Sequence, residues 1–230
     1  MTAHLQSGAG PKRPAPPEQG DVAGADSEIL ARIHDPDVGM VVWTRQPSVE
    51  LMSWLERASR PALPHGRVLI APDEAEAALT VMLSGAGASV PDGAQPFIDD
   101  ASEIVRHFAG IAPCDLVDVR LEAVTHDACW KFHRDCVPFR LITTYLGPGT
   151  EYVDPANAAC ALNDQRDYAG PLNRVPTFGV AVFRGSSDGS ALGVVHRSPP
   201  IAGTGLRRLI LCVNAPSITS PVRWDSLSPA

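Results

Sequence analysis

The apolar positions along this 230-residue chain follow one period in the first half and another in the second. Between about residues 27 and 112 they recur every three to four positions, the spacing of a helix face. Asp26-Ser27-Glu28 precedes Ile29, Leu30 and Ile33 and has the composition of a helix entry. After Pro47, residues Leu51, Trp54 and Leu55 share one face at i, i+3 and i+4. Pro72-Asp73-Glu74 opens another segment through Ala75, Ala77, Leu79 and Met82. A further one runs from about Pro96 to Ala109, with Phe97, Ile98, Ile104, Val105 and Phe108 as its apolar stripe. None carries a chemical motif, so they read as a helical layer that must pack on something else.

From about residue 114 the period falls to two. Val117, Val119, Leu121 and Ala123 alternate with Asp118, Arg120, Glu122 and Val124, which predicts a strand with one polar face. Further strands are predicted over 139–146, ended by Gly147-Pro148-Gly149, and over 178–183, 193–196 and 208–213. Short strands between Gly/Pro turns predict a mainly β sandwich or barrel under an N-terminal α layer. Residues 1–26 contain Pro11, Pro14, Pro16 and Pro17, four glycines and no aromatic residue. Such a stretch buries too little surface to offset its ordering entropy, and a disordered tail is expected. The expected organisation is therefore a tail over 1–26, a helical layer over 27–112, a jelly-roll core over 113–219 and a C-terminal tail over 220–230.

Charge narrows the function classes. Lys+Arg number 19 against 26 Asp+Glu, a net charge of −7, which argues against a nucleic-acid-binding surface. No apolar run approaches the roughly 20 residues that span a bilayer, and Met1–Gly20 lacks the apolar stretch of a signal peptide. The expected location is the cytoplasm, with no membrane partner. Five cysteines, Cys114, Cys129, Cys136, Cys160 and Cys212, show no disulfide framework and are expected to be reduced thiols.

Candidate chemistry concentrates in Phe132-His133-Arg134-Asp135. On an extended chain, His133 and Asp135 project to the same side and can hold one cation together. His196, at the end of the 193–196 strand, would complete a two-histidine, one-carboxylate triad that leaves half of an octahedral Fe(II) open. An oxygenase of this type that uses 2-oxoglutarate needs a basic side chain for the distal carboxylate, and Arg207 and Arg208 begin the last strand. Arg207 shares a face with Leu209, Leu211 and Val213; Arg208 shares one with Ile210, Cys212 and Asn214. If helices cover the wholly apolar face, Arg208 points into the cavity. Arg120, Arg140 and Tyr145 are candidate substrate-binding residues. A rival reading uses His126, Cys129, His133, Asp135 and Cys136 as a zinc-type ligand set, although their spacing matches no zinc module. Zinc in a His133/Asp135/His196 site is compatible with the same ligands.

Val119-Arg120-Leu121-Glu122, Cys129, Phe132-His133, Asp135 and Thr144 through Glu151 resemble a bacterial family known only as domain of unknown function 1826. Val195 through Pro200 and Arg207-Arg208-Leu209 resemble it too. More broadly, the pattern is similar to the cupin-like, double-stranded β-helix Fe(II)/2-oxoglutarate dioxygenases. That resemblance implies metal ligands at His133, Asp135 and His196, a co-substrate anchor at Arg207 or Arg208, a small-molecule substrate, and an assembly compatible with a homodimer. The Arg-x-Ser pair of some such enzymes is absent, since Arg208 is followed by Leu209-Ile210. The main expectation is a non-haem iron oxygenase. The alternatives are a zinc-binding or metal-handling protein without turnover, and a partner-binding barrel with no metal.

Overall fold

A seven-stranded sheet runs through the molecule and divides it into a helical side and a side of mixed polarity. The computed structural model describes residues 20–58, 63–85, 89–187 and 193–225. In chain order the elements are β1 (Gly20–Gly24), β2 (Val38–Trp43), α1 (Val49–Arg57), β3 (Gly66–Ile70), α2 (Ala75–Ser84), α3 (Gln95–Ile111), β4 (Val117–Val124) and β5 (Phe139–Leu146). Then follow β6 (Glu151–Tyr152), α4 (Ala158–Asp164), β7 (Asn173–Arg174), β8 (Val180–Arg184), β9 (His196–Arg197) and β10 (Arg208–Asn214). The large sheet has the order β1-β2-β8-β5-β10-β4-β3, and a small one has the order β7-β6-β9. Pairing is antiparallel except between β1 and β2.

Period-two alternation assigns the two faces of the large sheet. Val117, Val119 and Leu121 of β4, Leu141 and Tyr145 of β5, Val180 and Val182 of β8 and Leu209, Leu211 and Val213 of β10 pack in one cluster with the helices. From the helices come Leu51, Trp54 and Leu55 of α1, Leu79 of α2 and Phe97, Ile98, Val105 and Phe108 of α3. Met40, Val42, Ile142, Ala181, Phe183, Ile210 and Cys212 form a second cluster on the opposite face, with Val175, Val194 and Ile201. Local signals set the helix ends. The Ser48 hydroxyl accepts from the Leu51 N–H at 3.1 Å, and the Glu74 carboxylate accepts from the Ala71 N–H at 2.8 Å.

The helical segments form about where periodicity puts them, but the stretch 27–112 is not purely helical. It also contributes β2 and β3 to the large sheet. Buried through Val38–Val42, β2 lies between β1 and β8 and shows no alternation from which a strand could be read. Ser27–His34 is a 3-10 helix rather than an α-helix. Gly20–Gly24 falls inside the expected tail yet forms edge strand β1, because its register with β2 satisfies its backbone. The remainder of that tail, 1–19, lies outside the described residues, as does 226–230 of the C-terminal one. Before that point, Trp224 donates its N–H to Leu69 O at 2.8 Å, so the chain is tied back to β3.

Tyr145 illustrates what strand parity decides. It lies on the helix-facing side of β5, 1% exposed, and its hydroxyl donates to Asp100 Oδ2 of α3 at 2.6 Å. Arg45 pairs with the same carboxylate through both Nη atoms. Burial, then the Asp100 charge, pushes the Tyr145 phenol well above its ordinary range. Tyr145 is therefore a buried strut between sheet and helix, on the face of β5 opposite to the pocket. Tyr145→Phe is expected to cost about 1.5–3 kcal/mol in urea denaturation, as for a lost hydrogen bond to a charged group. Metal uptake should be unchanged, whereas a loss of metal affinity at intact stability would contradict this placement.

Candidate metal centre

His133 and His196 are brought together by the backbone. Each donates its N–H to the other's carbonyl, at 3.0 and 3.1 Å, forming an isolated antiparallel bridge beside β9. Residues paired this way present their side chains to the same face. The two rings accordingly lie 4.6 Å apart between centroids. Asp135, two positions after His133, reaches the same point. Its Oδ2 lies 3.4 Å from His196 Nε2, and its Oδ1 lies 3.8 Å from His133 Nε2. One ligand atom from each of the three residues falls within 4.8 Å of the others.

The surroundings prepare these atoms for a cation. His133 Nδ1 contacts Lys131 O at 2.8 Å, and His196 Nδ1 contacts Val194 O at 3.1 Å. Carbonyls only accept, so both Nδ1 atoms carry the proton and both Nε2 atoms keep a free lone pair. Burial pulls the His196 pKa down to about 4 against the opposing pull of Asp135, so this ring is neutral at neutral pH. Phe183 stacks on it at 4.8 Å and 17°. Arg140 Nη1 binds Asp135 Oδ1 at 2.6 Å, and Arg140 Nε donates to Asn214 Oδ1 at 2.8 Å. Asp135 Oδ2, by contrast, is buried without a hydrogen-bond partner. An orphaned carboxylate oxygen 3.4 Å from one imidazole Nε2, with the second imidazole against the same carboxylate, fits a divalent cation. No thiol belongs to the group of three, which leaves the Cys129/Cys136 zinc set without geometric support.

The loop that carries Asp135 is packed against the end of β8. Ser186 donates from both N and Oγ to Asp135 O, at 2.8 and 3.0 Å, and Gly185 N donates to Pro138 O at 2.9 Å. A Cβ on Gly185 would lie 1.8 Å from Val137 O and 2.9 Å from Asp135 O.

Arg208 lies on the inner face of β10 with Ile210 and Cys212, as the register argument favours, and is 1% exposed. Its Nε donates to Pro148 O at 2.7 Å, its Nη2 approaches Thr144 Oγ1 at 3.4 Å, and its Nη1 is buried without a partner. Burial lowers its pKa to about 10, which leaves it charged at neutral pH. Arg207 precedes the strand with the opposite parity and donates to Ala58 O at 3.1 Å, just past the end of α1. It does not line the pocket that opens on His133 and His196. Arg120 and Arg140 both line the small pocket, about 40 Å³, that opens on His133 and His196. Glu122, Cys129, Thr150 and Ser198 line it too. Sequence reasoning did not single out Phe183, whose position two residues after Ala181 on the inner face was the available signal. Nor did it place Cys129 at the pocket wall, where the residue adopts φ +49°, unusual for a side chain bearing a Cβ.

Residues 24–214 match the model of the family described as "Protein of unknown function (DUF1826)". The chain belongs to that family. No curated protein matches. Among solved structures, a dioxygenase for auxin oxidation from rice is 13% identical, with 88% of this chain and 86% of that one covered and a TM-score of 0.48. The Kdo hydroxylase KdoO, a non-haem Fe(II) α-ketoglutarate-dependent dioxygenase, is 8% identical over 86% and 89% of the two chains, TM-score 0.47.

Gly185→Ala is expected to cost more than about 2 kcal/mol, because backbone at Val137 must yield to the new methyl. It should also weaken metal binding by displacing Asp135. Calorimetric melting with and without added metal checks both; wild-type behaviour in each would show that this loop does not hold the carboxylate.

Proposed function

We propose that this protein is a non-haem Fe(II)-dependent oxygenase that uses 2-oxoglutarate and oxidises a small molecule in a jelly-roll core. One observation carries the reading: a ligand atom from each of two imidazoles and one carboxylate meet within 4.8 Å, with both Nδ1 atoms tied to backbone carbonyls and one carboxylate oxygen unpartnered. Two imidazoles and one carboxylate suit Fe(II) and leave coordination positions for other ligands. The jelly-roll reading draws support from two sheets, seven-stranded and three-stranded, with the inner cluster contributed from both sides. Five free thiols among the described residues are in keeping with a reducing compartment such as the cytoplasm.

In this reading His133, Asp135 and His196 hold the iron. When bound, iron supplies the redox chemistry that couples O₂ to oxidation of the co-substrate and substrate. The chain's own residues perform the rest. Arg140 fixes Oδ1 of Asp135 and so turns Oδ2 toward His196. The carbonyls of Lys131 and Val194 hold the imidazole protons on Nδ1 throughout. Arg208 offers its unpaired Nη1 to the distal carboxylate of 2-oxoglutarate, a partner that a buried guanidinium with only neutral contacts lacks. Phe183, Ile142 and Ile210 exclude water from the inner side.

Anaerobic Fe(II) titration tests the centre. His133→Ala and His196→Ala are each expected to weaken iron binding at least about 100-fold, through loss of a ligand bond; unchanged affinity in both refutes the proposal. Arg208→Gln should weaken 2-oxoglutarate binding about 10- to 100-fold with iron affinity intact, the range for one lost hydrogen bond to a charged group. Tight zinc in the purified protein, with no oxygen uptake on iron and 2-oxoglutarate, would favour the metal-handling alternative instead.

A further inference from the structure

Charge inside the pocket bears on the substrate itself. Apart from the Arg67–Asp118 ion pair at 2.6 Å, which cancels itself, the inner face of the large sheet and the adjoining loop carry three guanidinium groups, Arg120, Arg140 and Arg208, against two carboxylates, Glu122 and Asp135. Glu151 adds no compensation, because it is already shared between Arg174 at 2.6 Å and Arg197 at 2.8 Å. In the proposed function a divalent metal and a dicarboxylate co-substrate cancel each other, and one positive charge remains. Buried charge without a partner is costly, so a ligand that restores neutrality is favoured.

Arg120 is the guanidinium placed to receive such a ligand. Arg140 is committed to Asp135 and Asn214, and Arg208 is deeper in the fold. Arg120 stands on the pocket wall with both triad histidines. It gives Nη2 to Glu122 Oε2 at 2.8 Å, while its Nε is buried with no partner. The neighbouring Cys212 thiol is held protonated by burial and offers no counter-charge. We infer that the substrate of this site is a small monocarboxylate whose carboxylate is received by Arg120 within reach of the metal centre. The inference rests on the proposed metal centre for its charge balance. A cation would meet Arg120 and the metal with like charge, and a dianionic phosphate would overshoot neutrality.

Calorimetry on the full chain, loaded with Mn(II) and saturating 2-oxoglutarate, tests this with butanoate, benzoate and phenylacetate against butanamide, benzamide and phenylacetamide. At least one acid is expected to bind 10-fold or more tightly than its amide. Arg120→Gln should abolish that preference, and Arg120→Lys, which keeps charge but loses the planar fork, should leave an intermediate one. Glu122→Gln removes a competing carboxylate and should tighten the acid about threefold, an effect that a merely structural role for the pair does not give. Absence of any acid preference in the wild type, whether from equal or undetectable binding, overturns the inference. So does a preference that survives Arg120→Gln, or weaker acid binding in Glu122→Gln. Elemental analysis of the same samples reports on the metal separately. Acid preference in protein that takes up no metal would refute the metal centre while retaining Arg120 as an anion site.

Discussion

Two reciprocal backbone hydrogen bonds between residues 133 and 196 hold this site together. The pair is short, but its neighbours fix it on both sides. Tyr152 of β6 pairs with His196, Val153 N donates to Val195 O, Val194 N donates to Arg184 O, and Ser198 N donates to Cys129 O. Each bond is worth only about 1 kcal/mol net, yet together they leave the two histidines no other register. A slip of one residue would put the two imidazoles on opposite faces. The chemistry is therefore a consequence of strand pairing, and the side chains need little further adjustment.

The second constraint is the division of the large sheet into an apolar face and a mixed one. On β10, Leu209, Leu211 and Val213 meet the helices, while Arg208, Ile210, Cys212 and Asn214 line the interior. The same parity carries Arg140 and Ile142 inward on β5 and Tyr145 outward onto Asp100. Helices α1 to α3 shield one side from water, so the few polar groups on the other are confined to a small volume. In that volume charges act strongly on one another, which is why His196 is kept neutral and Arg140 can orient Asp135.

Much of this was legible in the sequence where local pattern and packing agree. The period-two segments over 117–124, 139–146 and 208–213 match β4, β5 and β10 closely, because each has one face against helices and one against the interior. The spacing of His133 and Asp135 on extended chain likewise anticipates their convergence. Legibility failed where both faces of a strand are covered or where pairing comes from far along the chain. β2 shows only an apolar run, and β3 and β1 owe their existence to partners at residues 117–121 and 38–43. Tyr145, a polar tip beside a Gly-Pro-Gly turn, has the local look of a pocket residue, while strand parity sends it to the helices. Phe183 is an ordinary aromatic until the fold sets His196 against it.

The most direct measurement of the central claim is anomalous diffraction across the iron edge from crystals grown anaerobically with Fe(II). The account predicts one dominant peak within coordination distance of His133 Nε2, His196 Nε2 and an oxygen of Asp135. A peak elsewhere, or none at this position in iron-saturated crystals, would contradict it.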